Sequence, residues 1–235
     1  MNYFNNAIIY FFNQFSQRSW LVDRGMTFFV GNDIVKGGIF MALFWGIWFA
    51  YSGEPERTNY RETILLTLGG TFVALFLAMV LALTLSFKNR PIFAAALGFK
   101  IPLGYTCPME SWSAFPSDHA ALFAGLTTGI WFISRLLALL TTTYLFLVIL
   151  IPRIYMGLHY PTDLAAGAIL GVVCVLLFRK INFIRSITQG ILRWGQNNEG
   201  LFYALFFFMT FEVATLFVSV RHIGSAMKQL VKVYL

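Results

Sequence analysis

The sequence predicts an all-α integral membrane protein, a six-transmembrane-helix bundle preceded by an interfacial helix at the N-terminus. Three observations carry this reading. Of the 235 residues, 58% are hydrophobic and 11% charged, with 26 phenylalanines among them, too apolar a composition for an ordinary soluble domain. A helix needs about 20 apolar residues to cross the hydrocarbon core of a bilayer. Six stretches come near that length, at 34–52, 63–87, 116–135, 136–158, 161–179 and 200–220. The net charge of +7 fits basic loops that face anionic headgroups, and so gives no reason to expect nucleic acid as a partner.

The N-terminal segment, 1–33, comes first. It opens with no early basic residues and no small-residue cleavage site, so it does not read as a secretory signal. Apolar residues at 4, 7, 8, 11, 12 and 15 recur at helical spacing, with Asn5, Asn6, Asn13, Gln14 and Gln17 between them. That pattern predicts an amphipathic helix whose apolar face meets either lipid or the bundle.

The six spans, 34–220, follow as part of a single domain over 1–235. Arg135 alone separates the third from the fourth, which makes those two a tight hairpin. The interruption at 88–115 is rich in Pro, Gly and aromatic residues, and reads as an ordered segment rather than a linker. The loop at 179–199 carries Arg179, Lys180, Arg185 and Arg193 against Glu199 alone, which the positive-inside rule reads as cytoplasmic. The 53–62 loop and Arg135 then lie inside, with both termini, 88–115 and 159–161 outside. Arg18, Arg24, Lys36, Arg221, Lys228 and Lys232 fall outside in this orientation and weigh against it. Cys107 and Cys174 are spaced for neither a metal cluster nor a redox pair.

Alternating spans gather the unusual polar residues at one membrane face. The second span ends in Lys88, Arg90 and Pro91; the third opens with Pro116, Ser117, Asp118 and His119; the fourth-to-fifth junction holds Arg153, His159 and Asp163. Each group alone has an ordinary reading: headgroup contacts for Lys88 and Arg90, a helix cap for Ser117, an interfacial imidazole for His159, first-turn amides for Asp163. Their convergence changes it, because two of the three histidines fall on this face beside two arginines. Guanidinium forks and a helix N-terminus both suit phosphate oxygens. Arg153 precedes His159 by six positions, roughly 9 Å if the helix runs on at 1.5 Å per residue. For phosphate ester cleavage, His159 supplies a nucleophile, Asp163 a carboxylate to orient it, and His119 an acid for the leaving group. No cluster has metal-ligand spacing, so neither a metal nor another cofactor is expected.

These residues resemble the three ordered motifs of the type 2 phosphatidic acid phosphatase superfamily. Arg90-Pro91 is similar to the end of the first motif, Pro116-Ser117-Asp118-His119 to the second, and Arg153, His159 and Asp163 to the third, all within 83–165. The resemblance implies His159 as nucleophile through a phosphohistidine, Asp163 as its orienting partner and His119 as general acid. It also implies that Arg90, Ser117 and Arg153 hold phosphate oxygens. Leu83 stands where the first motif usually has lysine, Asp118 where the second has glycine, and Pro152 where the third has serine. Lys88 is the nearest replacement for that lysine, and a Lys88–Asp118 pair would explain two departures together.

Within the superfamily the pattern resembles undecaprenyl pyrophosphate phosphatases of the bacitracin-resistance type. That implies a polyprenyl diphosphate substrate in a bacterial inner membrane, with the site facing the periplasm or exterior. A phosphatidylglycerophosphate or phosphatidic acid phosphatase is the alternative, with lipid A phosphatase a third. A non-catalytic phospholipid-binding or transport protein is an alternative of another class. Glu212, deep in the last span, should be neutral, paired or facing a polar cavity; His222 reads as interfacial.

Overall fold

The structure is a computed structural model that describes residues 3–50, 53–107 and 112–218. His222, Arg221, Lys228 and Lys232 lie outside the described residues. The described chain is all helical: α1 (Tyr3–Asn13), α2 (Trp20–Gly31), α3 (Ile34–Ala50), α4 (Glu56–Thr84), α5 (Asp118–Trp131), α6 (Arg135–Tyr155), α7 (Pro161–Lys180), α8 (Asn182–Asn197) and α9 (Glu199–Ala214).

Among the described residues, α4, α6 and α7 are long and apolar enough to cross a membrane, and α2 with α3, bent by 66°, would make a fourth span. The stretches expected to span at 116–135 and 200–220 hold shorter helices, α5 with 14 residues and α9 with 16. The reason is local for α5. Ser117 caps its start, accepting from Ala120 N–H at 3.3 Å, and the chain turns again at Phe132, before Ser134 caps α6.

Ten of the fourteen α5 residues are buried, so this helix is the hub of the bundle, wrapped by α4, α6 and α7. Glycine lets α7 approach it closely. A Cβ at Gly167 would stand 2.2 Å from the Ser117 carbonyl oxygen, and one at Gly171 2.1 Å from that of Ala121. This contact presses the N-terminal end of α7 against that of α5. α6 reaches the same end through a π turn at Leu145–Leu150, just before Pro152. A widened turn accommodates a residue that lacks an N–H and would otherwise clash one turn back.

At the opposite end, the 179–199 stretch, expected as a loop, folds into α8. Its arginines hold the start of α4: Arg185 meets Glu62 at 3.0 Å, and Arg179 in α7 donates to Thr63 at 3.1 Å. A basic segment that splits into polar and apolar faces is as good a helix as a loop, which charge counting cannot see.

α1 departs from expectation in another way. Its buried face is Asn5, Ile9 and Asn13, while Phe4, Tyr10, Phe11 and Phe15 are exposed. The asparagines bind inward: Asn5 donates to Thr162 Oγ1 at 2.9 Å, and Asn13 donates to the Lys100 carbonyl at 2.8 Å. Amide side chains can be buried when their hydrogen bonds are met, and an exposed aromatic face suits lipid.

Candidate active site

Three chain segments meet where α4, α5 and α7 converge, and backbone hydrogen bonds lace them together. Ala114 N–H donates to the Lys88 carbonyl (2.9 Å), Ile92 N–H to that of Gly157 (2.9 Å), and Ser117 N–H to that of Asp163 (3.1 Å). Gly157 makes the turn from α6 possible. Its φ of +66° is left-handed, and a Cβ there would stand 2.7 Å from Phe99.

His159 follows that turn and is 4% exposed. Its Nδ1 lies 2.8 Å from the Ala114 carbonyl oxygen. A carbonyl only accepts, so Nδ1 carries the proton and Nε2 keeps its lone pair. Burial, and next the Arg90 guanidinium, push its pKa down to about 3, so the ring is neutral at ordinary pH. Arg90 is itself buried and tied to backbone oxygens, donating to Trp112 and Leu158, both at 3.3 Å. Arg153, on α6, donates to the Ile149 carbonyl at 2.8 Å and is almost wholly buried. The helix stops at Tyr155, so helical rise does not set the Arg153–His159 distance. The turn brings both residues onto one cavity instead.

The carboxylates are distributed differently from the expected scheme. Asp163 does not orient His159. One of its oxygens pairs with Lys88 Nζ, and the other accepts from Tyr160 N–H at 2.9 Å, the cap expected of an acid in a first helical turn. Lys88 also lies over the Tyr160 ring at 4.7 Å. Asp118 consequently does not pair with Lys88. Its Oδ1 stands 2.8 Å from His119 Nδ1, which fixes that nitrogen as donor and leaves Nε2 toward the cavity. Ser117 is fully buried and caps α5.

Arg90, Asp118, His119, Arg153 and His159 all line one cavity of about 420 Å³. A second, of about 360 Å³, shares Arg90, Trp112, Asp118 and His159, and runs along Ala78, Met79, Leu83 and Phe87. The polar centre thus opens onto apolar walls on two sides. Lys88 lines neither of these cavities, whereas Lys36, which no sequence motif singles out, lines the larger. Glu212 is buried, and its Oε2 has no hydrogen-bond partner among the described residues.

Residues 63–186, which hold every one of these motif residues, match the PAP2 superfamily. The chain belongs to that superfamily of phosphatases, as an integral membrane member. The bacitracin transport permease protein BcrC of Bacillus licheniformis is 38% identical over 83 residues, which take in 32% of this chain and 38% of the relative. The chain thus matches well under half the length of that curated relative. The crystal structure of Aquifex aeolicus LpxE superposes with a TM-score of 0.51 at 21% identity, covering 74% of this chain and 94% of the other. That likeness shows a shared fold.

Proposed function

We propose that this chain hydrolyses a lipid diphosphate, with undecaprenyl pyrophosphate as the substrate read from its motifs, releasing inorganic phosphate and the lipid monophosphate. One observation carries the reading: two histidines, held by different partners, meet two buried arginines on a cavity whose far walls are apolar.

His159 Nε2, with its lone pair, attacks the terminal phosphorus. The P–O bond to the lipid phosphate breaks, and His119 Nε2 gives its proton to the departing oxygen. Water then attacks the phosphohistidine and loses its proton to His119. The P–N bond breaks, phosphate leaves, and His159 is again neutral. Arg90 and Arg153 hold the equatorial oxygens as charge develops, and the start of α5, capped by Ser117, turns the positive end of its dipole toward the same anion. Asp118 holds the Nδ1 proton of His119 and stabilises the imidazolium from which Nε2 donates. Asp163 sets the backbone just after His159 through Tyr160, and Lys88 fixes Asp163.

In the membrane we take α5 and α9 as short spans that complete six, with α8 on the cytoplasmic face. The site, at the opposite end of α4 and α7, then faces the periplasm or exterior of a bacterial inner membrane. A permease role, which the relative's name would carry over, gives no use to an attacking imidazole beside a protonating one.

A substrate panel in detergent tests the assignment: undecaprenyl pyrophosphate, phosphatidylglycerophosphate and phosphatidic acid side by side. The diphosphate should be preferred at least tenfold in kcat/KM, in the presence of excess EDTA. A preference for either glycerolipid would reassign the substrate.

A further inference from the structure

Among the described residues, the cavity holds one cation that the three motifs leave unused. Lys36 sits in the π turn Ile34–Gly38 that opens α3, is 6% exposed, and lines the cavity with Asp118, His119 and Arg153. The turn is locked in place. Tyr144 Oη donates to the Val35 carbonyl at 2.6 Å, and Asn32 Oδ1 accepts from Val35 N–H at 2.9 Å. The backbone of α9 lies against Gly37, where a Cβ would stand 2.1 Å from the Ala214 carbonyl oxygen. A lysine ammonium has three N–H donors. Asp33 Oδ1, also on the cavity, takes one at 2.9 Å, and its side chain is 44% exposed. So exposed a carboxylate is weakly held and can yield its place to a phosphate.

Lys36 lies on one side of the reacting centre. It shares the larger cavity with His119, whereas the smaller, running along α4, reaches Arg90, Asp118 and His159 but neither His119 nor Lys36. The two cavities thus meet at Arg90, Asp118 and His159, and Lys36 stands with His119 and Arg153 on the side of the larger one, which Val30, Leu216 and Val218 also line. A cation on the acid's side of the nucleophile faces the leaving group. A departing alcohol offers it no charge, whereas a departing phosphate does.

We propose that Lys36 binds the non-transferred phosphate of the substrate and makes the site selective for diphosphates over monophosphates. This rests on the phosphohistidine reading, with His159 attacking and His119 protonating. The test compares farnesyl diphosphate with farnesyl monophosphate on the purified full-length protein. Lys36→Met should lower kcat/KM for the diphosphate roughly 10- to 100-fold, the loss expected for one charge-assisted contact, and for the monophosphate no more than about threefold. Lys36→Arg should recover part of the diphosphate loss. Equal losses on both substrates, or none on either, overturn the proposal. Wild-type protein that turns over neither substrate sinks the phosphatase reading itself. Should Lys36→Met not fold, the wild type still decides: methylenediphosphonate should compete at least tenfold more tightly than methylphosphonate, and equal competition refutes the role of Lys36.

Discussion

The two histidines of the site are held by opposite means. His159 is nearly sealed from solvent and leans on a backbone carbonyl, a partner that fixes a tautomer without adding charge. His119 is more open, its side chain 18% exposed, and leans on the Asp118 carboxylate, which also stabilises the imidazolium formed when the ring takes a proton. A nucleophile must be neutral before it attacks, whereas an acid must carry a proton to give away. The partners differ in the sense each task requires, a carbonyl for the nucleophile and a carboxylate for the acid.

Removing each imidazole gives the largest effects. His159→Ala should abolish turnover of all substrates while the protein remains folded by thermal melt; residual turnover of an activated aryl phosphate would break the assignment. His119→Ala should cost two to four orders of magnitude, the usual worth of a positioned acid. The single-turnover rate of enzyme phosphorylation should fall severely with lipid phosphates and slightly with aryl phosphates, whose leaving groups need no proton. An equal loss on both would show that His119 is not the acid.

The carboxylates sharpen the contrast at smaller cost. Asp118→Asn should lower the phosphorylation rate with lipid phosphates about tenfold, a loss of orientation worth roughly 1.4 kcal/mol, and again spare that step with activated substrates. Asp163→Asn should lower the melting temperature, because it loosens both Lys88 and the Tyr160 N–H, while costing less rate than His119→Ala. A loss as large as that of His159→Ala would instead mean that Asp163 acts on the nucleophile directly.

The smallest effect is one of pH. His159 is depressed to about 3 by burial and Arg90, whereas an unfolded histidine titrates near 6.5. The stabilisation from keeping it neutral is present above about pH 6.5 and lost progressively as pH falls toward 3, because the unfolded chain then binds the extra proton. In the pH profile of kcat/KM, this ring should contribute no acid limb between pH 5 and 7. An NMR titration of His159 near 6.5 would contradict it.

Arg90, His119, Arg153 and His159, which the structure brings onto one cavity, could be picked out in the sequence because phosphate chemistry needs particular side chains, whereas Ser117, expected to hold phosphate, is buried as a helix cap. The partners of these residues could not be picked out. Asp118, Asp163 and Lys88 exchange the expected pairings because the 88–90, 112–117 and 157–160 segments are threaded through one another by backbone hydrogen bonds, which no spacing reports. Ala114 contributes only a carbonyl, an atom every residue has. Lys36 looked like an unfavourable outside charge, and only the packing of Gly37 under α9 turns it inward. Of the spans, α4, α6 and α7 were legible from length and hydropathy. The hub α5 was overestimated because apolar turn residues at its ends extend the hydrophobic run. In α1 the buried stripe is polar, since Asn5 and Asn13 find partners on Thr162 and Lys100.

The central claim is that His159 carries the phosphoryl group. Rapid quench of the wild-type protein with terminally labelled diphosphate substrate, followed by peptide mapping, tests it directly. The account predicts an acid-labile, base-stable phosphate on His159, which accumulates further in His119→Ala supplied with an activated aryl phosphate, because deprotonation of the hydrolytic water is then impaired. Label on any other residue, or its absence under both conditions with turnover intact, would contradict it.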